Sequence, residues 1–284
     1  MATVVANGLR FNVSRLGSGP PTVVFVHGLV MDNLSSFWYS VANPVATRAE
    51  VVLYDLRGHG QSERPPTGYR PADAVSDLLA LLDVLGIEDP VYLCGNSYGG
   101  LVALETAIAR PERVRGLVLI ESHLVVPGWG EQMAESIDLG LWALHEDYRA
   151  DRPVAGGDRR RRRQWERTTD LVGRTTLVAD LRGAPLTDIG ALSRLDCPTL
   201  AIYGESSDVV ELGRLRDRTL PECELRLLPG AGHSLLMERP RAVADHLLEW
   251  LDRPPAGRAA GGRVAADGPA GRAAADGAPG RAAG

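Results

Sequence analysis

The chain alternates between two hydrophobic patterns. Thr22 to Val26, Val51 to Tyr54, Val91 to Cys94 and Leu117 to Ile120 are short continuous apolar runs, the pattern of strands buried on both faces of a parallel sheet. Between Pro71 and Leu85 the period changes: Val75, Leu78, Leu79, Leu82 and Leu85 fall on one helical face, with Asp73, Asp77 and Asp83 opposite. Pro71 suits the first turn of that helix and Gly86 its stop. Leu101, Val102, Leu104, Ala107 and Ile108 give a second helix after the Val91 run. At the start, Asn7-Gly8 between Val4-Val5 and Leu9 to Leu16 predicts an antiparallel hairpin. Strand and helix in alternation predict an α/β fold, a mostly parallel sheet with helices on both faces.

The alternation stops after Ser122. From there to Leu195 no strand pattern is present, but Met133, Ile137, Leu141, Leu144 and Tyr148 share one helical face, with Trp142 beside it. Leu171, Val178 and Leu181 share another, preceded by Trp165. Sheet alternation resumes with Thr199 to Tyr203, a helix from about Val209 to Leu220, a strand from Cys223 to Leu228 and a last helix from Pro240 to Leu251. These breaks predict a core of residues 1–121 and 196–252, a helical cap of residues 122–195 lying over the strand ends, and a tail of residues 253–284. Repeated Ala, Gly, Arg, Pro and Asp in that tail offer too little apolar surface to order it, so disorder is expected.

Composition narrows the function. With 284 residues, 44% of them hydrophobic, the chain can bury a sizeable core. A net charge of -5 argues against nucleic acid as a partner. No apolar run is long enough to cross a bilayer, and Met1 to Arg10 carries no secretion signal, so no membrane partner is expected and a cytoplasmic location is the default. Cys94, Cys197 and Cys223 are few and widely spaced, which fits reduced core thiols better than disulfides or a metal site. No lysine occurs anywhere, which removes Schiff-base chemistry.

The chemistry concentrates in Gly95-Asn96-Ser97-Tyr98-Gly99, where a strand turns at once into a helix. Glycines on both sides of the serine permit a tight elbow that lifts the hydroxyl clear of the sheet, at a helix N-terminus whose free N–H groups can face an oxyanion. A Gly/Ser turn between two core elements would read the same way, so the rest of the chain has to decide. A serine hydroxyl needs a base, and the base needs a carboxylate. His233, in Gly230-Ala231-Gly232-His233 after the last strand, is the expected base. Asp208, just beyond the Thr199 strand, is the expected acid, because Ser97, Asp208, His233 is the nucleophile, acid, base order of one known architecture. Glu205 is a rival nearby, and Glu121, which ends the strand after the nucleophile helix, is another. The backbone N–H groups of Leu29 and Tyr98 are expected to form the oxyanion hole. His27 and His59 are expected to brace their loops, while His123, His145 and His246 carry structural or surface readings.

His27-Gly28, Asp55-Leu56-Arg57-Gly58-His59-Gly60-Gln61-Ser62, the serine elbow and the final Gly-Ala-Gly-His stand in the order found in the α/β-hydrolase superfamily, which the chain resembles from its start to about Asp252. The resemblance implies a central eight-stranded sheet, a variable cap and a cofactor-free, metal-free acyl-enzyme mechanism; some relatives place the acid where Glu121 stands. Serine at position 97 argues against haloalkane dehalogenases and epoxide hydrolases, which use aspartate there. The expected function is hydrolysis of a carboxylic ester or thioester of an apolar or aromatic acyl group in a small-molecule substrate, with Trp38 and Trp142 as pocket candidates. A narrower expectation is release of an acyl chain from an acidic acyl carrier protein docked on Arg159 to Arg163. The alternatives are a carbon–carbon bond hydrolase of ring-cleavage products, which the Gly-Asn-Ser elbow also resembles, and a ligand-binding receptor that kept the fold and lost turnover.

Overall fold

A computed structural model describes the backbone of residues 1–149 and 157–253 and the side chains within that range outside residues 147–161. The expected hairpin is β1 (Ala2–Ala6) and β2 (Leu9–Leu16), antiparallel around a turn in which Asn7 and Gly8 both take positive φ. β3 (Thr22–Val26) and β4 (Glu50–Tyr54) follow, joined by a helical run that the apolar pattern did not announce: α1 (Ser35–Phe37), a π turn over Trp38–Ala42, and α2 (Asn43–Val45). Next come α3 (Pro71–Val84), β5 (Val91–Asn96), α4 (Tyr98–Ala109) and β6 (Val114–Ile120). The insertion contains α5 (Trp129–Arg149), α6 (Gly157–Gly173), α7 (Leu177–Arg182) and α8 (Ile189–Leu192). β7 (Thr199–Gly204), α9 (Val210–Thr219), β8 (Cys223–Leu228), α10 (Leu235–Glu238) and α11 (Pro240–Leu251) complete the order.

The eight strands form one sheet in the order β1-β2-β4-β3-β5-β6-β7-β8. β2 meets β4 antiparallel, and every pairing from β4 onward is parallel. The parallel strands β3 to β7 are largely buried, as their apolar runs require, while β8 at the sheet edge is only partly buried. Opposite sheet faces build separate apolar clusters. One contains Leu93, Leu101, Leu104 and Leu117; the other contains Phe25, Phe37, Ile202 and Leu247. The first also takes in Leu124, Trp129, Met133, Leu171, Leu177 and Leu181, so the helical insertion is fastened to the sheet layer by shared hydrophobic packing. Polar ties add to this: Thr187 Oγ1 bonds Glu105 at 2.9 Å, and the Tyr69 N–H reaches Asp180 at 2.8 Å. From Pro254 onward the chain lies outside the described residues, and with it nearly all of the expected tail.

One helix face departs from its pattern. Asp77, placed by periodicity with the solvent-facing acids, is buried, because Arg57 from the loop after β4 bonds both of its oxygens at 2.6 Å and the Asn7 amide adds a bond at 2.8 Å. A buried carboxylate persists only when paired in this way. The pair locks the β4 loop against α3, behind the strand ends that carry the site. Among the described residues, no helix is long and apolar enough to cross a membrane.

Candidate active site

Parallel strands end on the same edge of the sheet, and ligands bind there. Val26 pairs with Gly95 and Asn96 with Ile120, so the segments that follow β3, β5 and β6 emerge side by side. The Ser97 N–H bonds the Ile120 carbonyl at 2.8 Å, and the Glu121 N–H bonds the Ile202 carbonyl at 3.0 Å. Ser97 and Glu121 therefore sit in adjacent rows, one step past their strands.

The elbow is a steric construction. A Cβ on Gly99 would lie 1.9 Å from the Val26 carbonyl oxygen, and one on Gly95 would lie 2.2 Å from the Gly99 oxygen. Only glycine fits at either place. Ser97 itself is held at φ 54° and ψ −117°, a conformation that costs about 1–3 kcal/mol for a residue with a side chain. Val30 (φ 65°) and Glu121 (φ 49°) share the positive-φ region. Three strained non-glycine residues thus gather where β3, β5 and β6 end.

His233 arrives from the loop after β8, and its Nε2 lies 3.2 Å from Ser97 Oγ. On the far side of the ring, Nδ1 lies 3.2 Å from Glu121 Oε2 and 3.5 Å from Asp208 Oδ1. Nδ1 is aligned as a hydrogen-bond donor to neither, so the attraction is one of charge at close range. The two carboxylates differ sharply in setting. Glu121 is fully buried and receives the Gly204 N–H and the Ser207 hydroxyl; the Asp208 side chain is 66% exposed. Expectation put Asp208 next to the imidazole and Glu121 in reserve. In the fold the closer and buried carboxylate is Glu121, because Asp208 leaves its carboxylate in water while β6 delivers Glu121 under the ring. Burial lowers the His233 pKa, but the adjoining Glu121 carboxylate, with Asp208 behind it, outweighs that and leaves it above the ordinary value of 6.5.

The Leu29 and Tyr98 N–H groups form no hydrogen bond within the protein among the described residues. Both border the serine: Leu29 lines the same cavity as Ser97, and Tyr98 follows it and opens α4. Two buried histidines hold this loop. His27 bonds the Gly28 carbonyl at 2.7 Å and the Leu56 N–H at 2.9 Å. His59 bonds the Arg57 carbonyl at 2.8 Å and accepts the Val30 N–H at 2.8 Å. Asp55, a third strand-end carboxylate, is consumed by the Leu34 and Gln61 N–H groups and the Asn12 amide.

Above Ser97 lies a cavity of about 390 Å³ between the strand ends and α5. Met31, Met133 and Met237, with Leu29, Ile137, Leu235 and Leu236, supply its apolar wall. Its ionisable lining, among the described residues, is Asp32, Asp208, His123 and His233, with no arginine. Neither tryptophan proposed for the pocket lines it. Trp38 packs partly buried against the apolar cluster of Phe25 and Phe37, and Trp142 points outward from α5 at 62% exposure. Arg162 and Arg163 are exposed on α6 away from the cavity lining, while the side chains of Arg159 to Arg161 lie outside the description. His123 was passed over in the sequence, yet it lines the cavity with its ring centroid 5.6 Å from that of His233. Its position two residues after a strand-end glutamate was the available signal.

The model of the alpha/beta hydrolase family matches residues 23–246. Among curated relatives, epoxide hydrolase 2 of Siraitia grosvenorii is 35% identical over 129 residues, covering 43% of this chain and 39% of that one. The chain therefore spans about two fifths of the length of the first such relatives. A pimeloyl-[acyl-carrier protein] methyl ester esterase of Chromobacterium violaceum is 31% identical over 255 residues, 83% of this chain and 97% of that one. Among solved structures, a thermophilic esterase from Thermogutta terrifontis superposes with a TM-score of 0.71 at 24% identity, over 88% of this chain and 96% of that one.

The loop-bracing histidines make stability depend on pH. Burial, then the neighbouring His27, pushes the His59 pKa down to about 3 from 6.5. Between those values the unfolded chain binds a proton that the folded chain refuses, so stability falls as pH falls. At about 1.36 kcal/mol per pH unit, His59 should remove about 2 kcal/mol between pH 7 and pH 5. Urea unfolding at the two pH values should therefore show a drop about 2 kcal/mol smaller in His59→Gln than in the wild type; equal drops would contradict the assignment.

Proposed function

The chain belongs to the alpha/beta hydrolase family, and on that footing we propose that it is a serine hydrolase of neutral carboxylic esters or thioesters with a small apolar acyl group. The observation that carries the reading is the relay itself: Ser97 Oγ 3.2 Å from His233 Nε2, with a buried carboxylate 3.2 Å from Nδ1. His233 takes the Ser97 proton as Oγ attacks the acyl carbon, and the resulting oxyanion is received by the Leu29 and Tyr98 N–H groups. His233 then hands that proton to the departing oxygen or sulfur, leaving an acyl-enzyme that a water, deprotonated by the same nitrogen, hydrolyses. Methionines suit the acyl chain, since they adapt to irregular apolar shapes. Two aspartates and, among the described residues, no arginine in the lining disfavour an anionic substrate, which argues against the carboxylate-bearing products of ring cleavage. An esterase among the relatives is consistent with this.

A fluorophosphonate probe should label Ser97, and Ser97→Ala should abolish labelling and lower kcat on a butanoate ester by about 10⁴-fold or more. A folded wild type that takes no label would sink the reading.

Glu121 is the operative acid in this scheme, because its burial and two donors fix it beneath the imidazole. Glu121→Gln should lower kcat by about 10³- to 10⁴-fold and move the acid limb of the kcat profile to lower pH, since the charge that raises the His233 pKa is gone. Asp208→Asn, at a solvent-screened site, should cost about tenfold or less. The reverse ranking would return the role to Asp208.

A second reading places the acyl group on an acidic carrier protein. Favouring it are the run Arg159 to Arg163 on α6 and the carrier-linked substrate in the name of the Chromobacterium violaceum esterase. Reversing Arg162 and Arg163 to glutamate should raise KM for a carrier-bound ester about tenfold relative to the free methyl ester. An equal effect on both substrates would exclude docking there.

A further inference from the structure

We propose that His123 is a specificity-determining residue, whose imidazole hydrogen-bonds a neutral polar atom of the departing alcohol or thiol. The inference rests on Ser97 acting as nucleophile and adds to it the chemistry of the leaving group.

The backbone and ring of His123 are both held in place. Its N–H reaches the Ser97 carbonyl at 3.4 Å, and its carbonyl accepts Arg216 Nη2 at 2.6 Å. Arg216 is itself fully buried, with Ser122 and the Tyr203 hydroxyl as its other partners, so the backbone of residues 122–123 is clamped. The ring packs edge-on to Trp129, with centroids 6.3 Å apart, and only 6% of the residue is exposed. Yet neither ring nitrogen is hydrogen-bonded within the protein among the described residues, and Nδ1 is fully buried. The other two buried imidazoles show how this fold treats such rings: His27 and His59 each use both nitrogens on backbone groups. His123, buried like them and bordering the cavity, retains its capacity for a ligand.

Its place in the cavity identifies which part of the ligand. His233 delivers its proton to the departing atom, so that atom must lie beside His233 Nε2. The His123 ring stands 5.6 Å from the His233 ring, centroid to centroid, and lines the same cavity, so a leaving group extending from that atom has His123 within reach. Burial, and then the neighbouring His233, keeps the His123 imidazole uncharged down to about pH 3. An uncharged donor and acceptor suits an ether, hydroxyl or amide on the leaving group, while the charge of Asp208 nearby disfavours a carboxylate there.

Butyl butanoate and 2-methoxyethyl butanoate test this directly, because they share an acyl group and nearly a shape and differ in one ether oxygen. The wild type should favour the methoxyethyl ester by about tenfold in kcat/KM. His123→Phe should bring the ratio close to one, and His123→Gln, which keeps a donor and an acceptor, should restore part of it. Using a ratio cancels any general loss of activity, and fluorophosphonate labelling of Ser97 in each variant verifies a folded site. A wild type without preference, or a His123→Phe protein that retains it, overturns the inference while leaving the serine mechanism standing. A wild type that takes no label at Ser97 overturns both.

Discussion

A buried carboxylate cannot be left without donors, and the Glu121 side chain answers that constraint by joining three strand ends. It projects from the end of β6, receives the backbone of Gly204 at the end of β7 and the Ser207 hydroxyl beyond it, and lies 3.2 Å from the imidazole delivered after β8. Without that convergence, His233 would hang from a loop with only the solvent-exposed Asp208 near it. Its orientation toward Ser97 would then rest on loop packing alone. The carboxylate also reverses the electrostatic effect of burial on His233, raising its pKa as the proposed proton relay from Ser97 requires.

The same edge of the sheet holds the strain. Val30, Ser97 and Glu121 each adopt positive φ; Val30 and Ser97 line the cavity, and Glu121 holds its buried carboxylate beside His233. Rigid neighbours sustain them. The His27 and His59 rings pin the loop after β3, the Arg57–Asp77 pair pins the loop after β4, and Arg216 grips residues 122–123 from beneath. Arg216 has no carboxylate partner among its hydrogen bonds and spreads its charge over two carbonyls and two hydroxyls. The site thus stands on buried polar groups paired with both backbone and side-chain partners, which is how a low-dielectric interior tolerates them.

Much of this was legible in the residues. The continuous apolar runs marked the parallel strands, and Gly95 and Gly99 marked the elbow because no side chain fits against Val26 or within the turn itself. What could not be read was which side of an element faces solvent when a partner distant in sequence decides it. Asp77 looked exposed by helical period, yet Arg57 draws it inward. Trp142 looked like a pocket residue, yet the face of α5 turned to the cavity carries Met133, Ser136 and Ile137. Chain order favoured Asp208, since nothing local to Glu121 reveals that Gly204 and Ser207 will bury and solvate it. The helical run over residues 35–45 was hidden by its brevity and by a proline inside it.

Heteronuclear NMR of the imidazole rings, followed from pH 4 to pH 9 in the wild-type protein, tests the central role of the Glu121–His233 contact most directly. One ring, assigned to His233 by its loss in His233→Gln, should titrate above 6.5 and keep its proton on Nδ1 when neutral. Titration at or below 6.5, or a neutral ring carrying its proton on Nε2, would contradict the account.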